Sequence, residues 1–177
     1  MPSPIDVPVL VLTGPVGVGK STVLSEIARL LTQASVPHAV VDLAGIGRAW
    51  PAPEDDRWNE RLIHRNLACM WANFRDAGAE HLVLARVLEA RSLLRHVEAA
   101  VPGAAVTVVR LRASLPVLEA RIRHREQGGD PTWYLEVAAY LVDAMEQPGI
   151  ADHVLDNERG SVADVAAQAL RLVGWLP

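Results

Sequence analysis

A parallel β-sheet flanked by helices is the fold class this sequence predicts, on two observations. Short apolar runs of strand length alternate with helical patterns along the 177 residues. That alternation belongs to α/β proteins, whose parallel strands are joined by helical crossovers. The second observation is local. Gly14-Pro15-Val16-Gly17-Val18-Gly19-Lys20-Ser21 fills the phosphate-binding pattern G-x-x-x-x-G-K-[ST] at every defined position. The apolar run Val9–Leu12 precedes it and a helical pattern from Ser21 to Leu31 follows. Strand, tight loop and helix are the setting that pattern requires.

The elements follow in order. The first strand is predicted at Val7–Thr13 and the first helix at Lys20–Ala34. The second strand, His38–Leu43, comes after the turn signal Ser35-Val36-Pro37. A loop rich in Pro, Gly and charge then runs from Ala44 to about Asp56. A long helix spans about Arg57 to Asp76, with Gly78 placed to stop it. The third strand is His81–Ala85, followed by a short helix near Ala90–Ala99, the turn Pro102-Gly103 and a fourth strand at Ala105–Leu111. Ser114 reads as an N-cap with Pro116 in the first turn of a helix that ends near Arg125. Gln127-Gly128-Gly129-Asp130-Pro131 breaks that helix. Another spans Thr132–Glu146 and is ended by Pro148-Gly149. The fifth strand, His153–Asp156, is short. Ser161-x-x-Asp164 reads as a capping box for the last helix, to about Val173. No internal repeat or linker divides the chain, so a single domain over residues 1–177 is expected.

Bulk properties narrow the function classes. Hydrophobic residues make up 50% of the chain and charged residues 21%, a globular composition. The net charge of −4 argues against general nucleic-acid binding. One cysteine, Cys69, excludes an internal disulfide framework and suits a reducing cytoplasm. It falls in a helical apolar pattern and reads as a buried structural thiol. The opening MPSPIDVP lacks the basic and apolar regions of a signal peptide. No apolar run is long enough to span a membrane, and a monomer or homodimer is expected.

The glycine loop carries the strongest chemical signal. Glycines let the backbone turn tightly and approach a ligand closely. The loop from Gly14 through Thr22 then wraps an anion with its N–H groups, of which Pro15 has none, reinforced by the N-terminus of the following helix. Lys20 is suited to the β/γ-phosphates and Ser21 to Mg²⁺. In open parallel sheets, ligands sit beyond the carboxyl ends of the strands. The residues there are Asp42 and Gly45, Arg86 and Glu89, Arg110 and Arg112, and Asp156 and Asn157. Asp42 reads as an acceptor-facing base or a holder of a Mg²⁺ water, or else as a capping aspartate after a strand. Arg121 and Arg125, four apart in LEARIRHRE, share a helix face that can clamp phosphates, or else form a solvated helix end. Gly128-Gly129 is a candidate hinge for a short lid at about 118–135. Trp50 and Trp58 read as stacking surfaces for a planar acceptor, with Arg57 or Arg61 holding an anionic group, or else as hydrophobic anchors for the long loop. Arg86 is an acceptor-contact candidate. His64, Trp71 and Phe74 read as packing, and the six histidines show no metal-ligand spacing.

In GPVGVGKS, in Asp42 at a strand end and in LEARIRHRE, the chain resembles the small P-loop kinases, the group of adenylate, shikimate, gluconate and adenylylsulfate kinases and antibiotic phosphotransferases. The resemblance implies a three-layer P-loop NTPase fold with a five-stranded parallel sheet in order 2-3-1-4-5. It implies ATP as phosphoryl donor with Mg²⁺, and a small-molecule acceptor on the side formed by residues 44–77. It places Arg121 near the adenine or phosphates, Arg125 near the transferring phosphoryl group, and the loop from Asn157 to Gly160 beside the base. Strand three ends Leu84-Ala85-Arg86 without the acidic pair of motor ATPases, and no N-K-x-D guanine motif is present. Transfer of the γ-phosphoryl group to a hydroxyl is the expected activity, with catalytic roles for Lys20, Asp42, Arg121 and Arg125. A nucleoside monophosphate or adenylylsulfate kinase is one alternative, and an ATP-binding regulatory or resistance protein with little turnover is another.

Overall fold

The computed structural model describes residues 6–147 and 149–177. The segment 1–5, part of the stretch read above for a signal peptide, and Pro148, read as a helix stop, lie outside the described residues. Five strands, β1 (Val7–Thr13), β2 (His38–Asp42), β3 (His81–Ala85), β4 (Ala104–Arg112) and β5 (His153–Asp156), form one parallel sheet in the order β2-β3-β1-β4-β5. Among the described residues seven helices accompany them, six between strands and the last after β5: α1 (Lys20–Gln33), α2 (Leu43–Ile46), α3 (Glu60–Asp76), α4 (Leu94–Ala100), α5 (Leu115–Arg125), α6 (Thr132–Ala144) and α7 (Val162–Leu172). A 3₁₀ turn, Arg91–Leu93, leads into α4.

The central strand β1 is apolar at nearly every position because both of its faces are covered. Val9 and Val11 join one core with Ile63, Leu67 and Trp71 of α3 and Leu94 and Val97 of α4. Leu10 and Leu12 point the other way, into a core with Val23, Ile27 and Leu31 of α1 and Val165, Ala169 and Leu170 of α7. The period-two alternation of β1 thus builds a helix–sheet–helix sandwich.

Sheet register sets the site. Leu12 and Asp42 both pair with Ala85, Thr13 pairs with Arg110, and Arg112 with Asp156. The carboxyl ends of all five strands therefore finish at one edge. Buried Thr13 extends this order, since its Oγ1 accepts the Leu88 N–H at 2.9 Å and fixes the segment after β3.

Several local expectations change. The loop after β2 begins with a short helix, α2, because Asp42 caps it by accepting the Ala44 N–H at Oδ1. The long helix begins at Glu60 rather than Arg57. Asp56 reaches forward to accept the backbone N–H groups of Glu60 and Arg61 and so supplies the cap from three residues before the N-cap position. Cys69 is exposed, not buried. The inward face of α3 is Ile63, Leu67 and Trp71, and Cys69 lies about 200° round the helix from Leu67. Ser114 occupies the N-cap position of α5, yet its side chain makes no cap hydrogen bond. Glu158 accepts the Ser114 N–H at 2.9 Å instead. Ser161 and Asp164 do form the expected capping box of α7.

Candidate active site

The loop between β1 and α1 takes its shape from left-handed backbone. Gly14 has φ 145°, and a Cβ there would lie 2.5 Å from the Leu111 carbonyl oxygen. Gly17 has φ 84° and sits against Ile122 and the Leu118 carbonyl of α5. Side chains at these positions would fill the cradle, which is the physical requirement behind the glycine pattern. Gly19 is the N-cap of α1, with no side-chain cap and no acidic residue in the first turn. The first N–H groups of α1 therefore keep their donors for an incoming anion, in contrast to the self-capped α7.

Lys20 folds back over this loop. Its Nζ donates to the carbonyls of Gly14 at 2.8 Å and Pro15 at 3.0 Å, leaving one of three ammonium protons free. Burial lowers its pKa to about 8, Asp42 pulls it back up, and the nearby Arg125 guanidinium lowers it further. At the helix start, Ser21 Oγ donates to Asp42 Oδ2 at 2.5 Å. The strand-two carboxylate takes the capping reading its sequence position offered, and its second oxygen meets Ser21. Oδ1 caps α2, and Oδ2 faces the first turn of α1. A hydroxyl and a carboxylate beside a phosphate cradle are the hard oxygen donors that Mg²⁺ takes. Among the described residues no group of three or more His, Cys, Asp or Glu side chains is gathered for a metal, so a divalent ion here needs phosphate and water ligands as well.

The opposite wall comes from α5 and the segment after β5. Arg121 donates to the carbonyls of Val18 at 3.3 Å and Asn157 at 2.8 Å. Buried Asn157 donates its Nδ2 to the same Val18 carbonyl at 2.6 Å. The middle of the loop is thereby tied to β5. Arg125, one turn on, is held by Glu126 at 2.7 Å and lies 4.8 Å over the Tyr134 ring. Arg123 faces away and pairs with Glu119. Val16 and Thr22 border the cradle, Val16 half-buried and Thr22 exposed.

On the acceptor side the structure brings some candidates together and separates others. Arg86 is half-buried and paired with Glu60 at the start of α3. Arg61 makes a two-pronged pair with Asp55 at 2.8 and 2.9 Å, in solvent. Trp50 is 93% exposed and Trp58 65% exposed, so neither anchors the long loop. Asn59 does that. It is buried in a left-handed conformation, and its Nδ2 donates to the carbonyls of Gly47 at 3.0 Å and Ala49 at 3.2 Å. Arg110 is buried and bonds the Met145 carbonyl and Glu146, which fastens the end of α6 to β4. His64 stacks near His96 at 5.0 Å, and burial lowers its pKa. Trp71 lies in the core, as its helical position suggested.

Sequence reasoning missed Asn59, Glu60, Trp133 and Tyr134. Trp133-Tyr134 follows the helix-breaking Gly-Gly-Asp-Pro stretch at the start of a helix, and two adjacent aromatics there were a signal. The partners of Asn59 and Glu60 are 10 to 26 residues away, and no local pattern announces such pairings.

A five-stranded parallel sheet in this order, with a glycine cradle between β1 and α1, defines the P-loop kinase fold, and the chain has it. Solved structures of that kind align along nearly its whole length. They include a gluconokinase from Sinorhizobium meliloti, with 21% identity, TM-score 0.62, 94% of this chain and 91% of that chain covered. A tunicamycin resistance protein from Deinococcus radiodurans aligns with 20% identity and TM-score 0.68 over 96% of both chains. A shikimate kinase from Acinetobacter baumannii in complex with shikimate shares 18% identity and TM-score 0.57 over 94% of this chain and 93% of that one. No family model matches the chain, and no curated protein matches it in sequence. Among the described residues no helix is long and apolar enough to cross a membrane.

Proposed function

We propose that this protein transfers the γ-phosphoryl group of ATP to a hydroxyl of a small-molecule acceptor. The observation that carries the reading is the Ser21–Asp42 contact beside the glycine cradle. It sets a Mg²⁺-type hydroxyl and a carboxylate at the start of an uncapped helix, with Lys20 next to both. The likeness of the fold to a gluconokinase and a shikimate kinase supports the same reaction class.

Lys20 and the N–H groups of Gly14 and of Val16 through Thr22 would hold the β/γ-phosphates, and Ser21 would hold Mg²⁺ with Asp42 alongside. Bound ATP with Mg²⁺ supplies the transferable phosphoryl group and neutralises its charge. Asp42 orients the acceptor hydroxyl and accepts its proton at the carboxylate. The acceptor oxygen forms the new bond to phosphorus as the bond to the β-phosphate oxygen breaks, and ADP leaves. Arg121 supports the phosphate loop from α5. Arg125, at the end of α5, stabilises the developing charge once the segment 118–135 closes. Asn157 flanks the base.

The test is transfer of label from γ-³²P-ATP across a panel of hydroxyl metabolites, with Lys20→Ala and Asp42→Asn beside the wild type. Loss of transfer in both variants is expected. Undiminished transfer in both overturns the assignment.

A further inference from the structure

The acceptor side of the cleft combines open aromatic surface with cations that are already paired. Trp58, just before α3, is 65% exposed, and its ring centroid lies 6.1 Å from that of Trp133 in the first turn of α6. Trp133 is itself 49% exposed and meets Tyr134 edge-on at 4.9 Å. Tyr134 lies under the Arg125 guanidinium, and Arg125 is near enough to Lys20 to act on its charge. Through Tyr134 and Arg125 the tryptophan pair adjoins α5, the helix whose Arg121 bonds the Val18 carbonyl of the glycine loop. Tyr140, seven residues along the same face of α6, bonds Glu89 after β3 at 3.0 Å, so this face of α6 is turned toward the carboxyl edge of the sheet.

Large aromatic surface left open beside a site marks a place where a ligand replaces water. The charges agree. Arg86 is held by Glu60 and Arg61 by Asp55, while Arg57 lines a separate depression with Trp50 and Glu54. An anionic acceptor would have to take the half-buried Arg86 from Glu60, whereas the Arg61–Asp55 pair lies in solvent and holds its partners weakly. A neutral ring needs no such exchange.

We propose that the acceptor is a molecule with a flat aromatic ring and a free hydroxyl, stacked on Trp58 and Trp133. This deepens the phosphoryl-transfer reading and rests on it. Stacking of this kind changes affinity by roughly 5- to 150-fold per ring.

The test is calorimetric titration of the full chain, saturated with a non-hydrolysable ATP analogue and Mg²⁺. The ring-bearing probes are uridine and 4-nitrobenzyl alcohol, and the others are gluconate, shikimate and glycerol. At least one ring-bearing probe is expected to bind roughly tenfold or more tighter than all three others. Trp58→Ala and Trp133→Ala should each weaken it about fivefold or more, Trp133→Phe should restore most of the affinity, and analogue affinity should stay unchanged. Tighter binding of gluconate or shikimate, no binding of either ring probe at millimolar concentration, or indifference to both alanine variants overturns the proposal. Ring binding that depends on both tryptophans, without label transfer to any acceptor, supports the aromatic site and overturns the transfer reading alone.

Discussion

Ser21 Oγ and Asp42 Oδ2 are 2.5 Å apart, although 21 residues separate them in sequence. The contact ties the first turn of α1 to the end of β2, and it exists because β2 and β1 both pair in parallel with β3. A carboxylate that a sequence offers as a cap is here also the acid next to the phosphate cradle.

Asp42→Asn keeps the cap acceptor for Ala44 and removes the base. Turnover with an active acceptor is expected to fall by on the order of 10²-fold or more, with nucleotide affinity changed far less. Steady-state kinetics together with analogue titration would separate the two effects. Unchanged kcat and unchanged affinity would assign Asp42 to the cap alone, and a fall in affinity without a fall in kcat would assign it to the Mg²⁺–nucleotide side.

Lys20 gives a pH signature. Its folded pKa of about 8 lies below the ordinary value of 10.5, so between these values the free native protein has shed a proton that the unfolded chain keeps. Stability from this group therefore rises with pH across that window and is lost as pH falls through about 8. Phosphates favour the charged ammonium, so nucleotide binding at and above pH 8 should take up a proton and weaken as pH rises. Calorimetry at one alkaline pH in buffers of different ionisation enthalpy measures that uptake. It should vanish in Lys20→Met.

Gly14→Ala places a Cβ 2.5 Å from the Leu111 carbonyl oxygen and forces a left-handed alanine. The backbone strain alone is about 1–3 kcal/mol. Urea unfolding should show at least that loss, and stabilisation by added ATP should disappear with it.

Asn59→Ala removes the buried donor shared by Gly47 and Ala49 and leaves their carbonyls unpaired. Stability should fall by about 1–3 kcal/mol. Amide hydrogen exchange should rise most in residues 47–58. Uniform acceleration across the chain would instead show a global role.

The glycine cradle, the five strands and the helices of both layers were legible because each rests on local rules. These are glycine at left-handed positions, apolar runs of strand length, and helical spacing in α1, α3 and α7. Sequence also singled out Lys20, Ser21, Asp42 and Asn157, since each sits at a strand end or helix start that the topology sends to one edge, and Arg121 from its four-residue spacing to Arg125. The expectation of a buried Cys69 and the reading of the long-loop tryptophans as hydrophobic anchors failed for one reason. Each depended on which way a side chain turns once its element has docked. Cys69 lies on the outer face of α3, and Trp50 and Trp58 stay in solvent while Asn59 pins their loop.

By itself, then, the sequence determined the parallel α/β plan and the glycine cradle, because turn chemistry and hydrophobic period act within a few residues. Tertiary structure decided the rest. Only docking across the sheet edge brings Asp42 to Ser21, ties Arg121 to Val18 and Asn157, pairs Arg86 with Glu60, and sets Trp58 beside Trp133. Those partners lie between 21 and 103 residues apart, and their meeting is a property of the packed sheet rather than of any local segment.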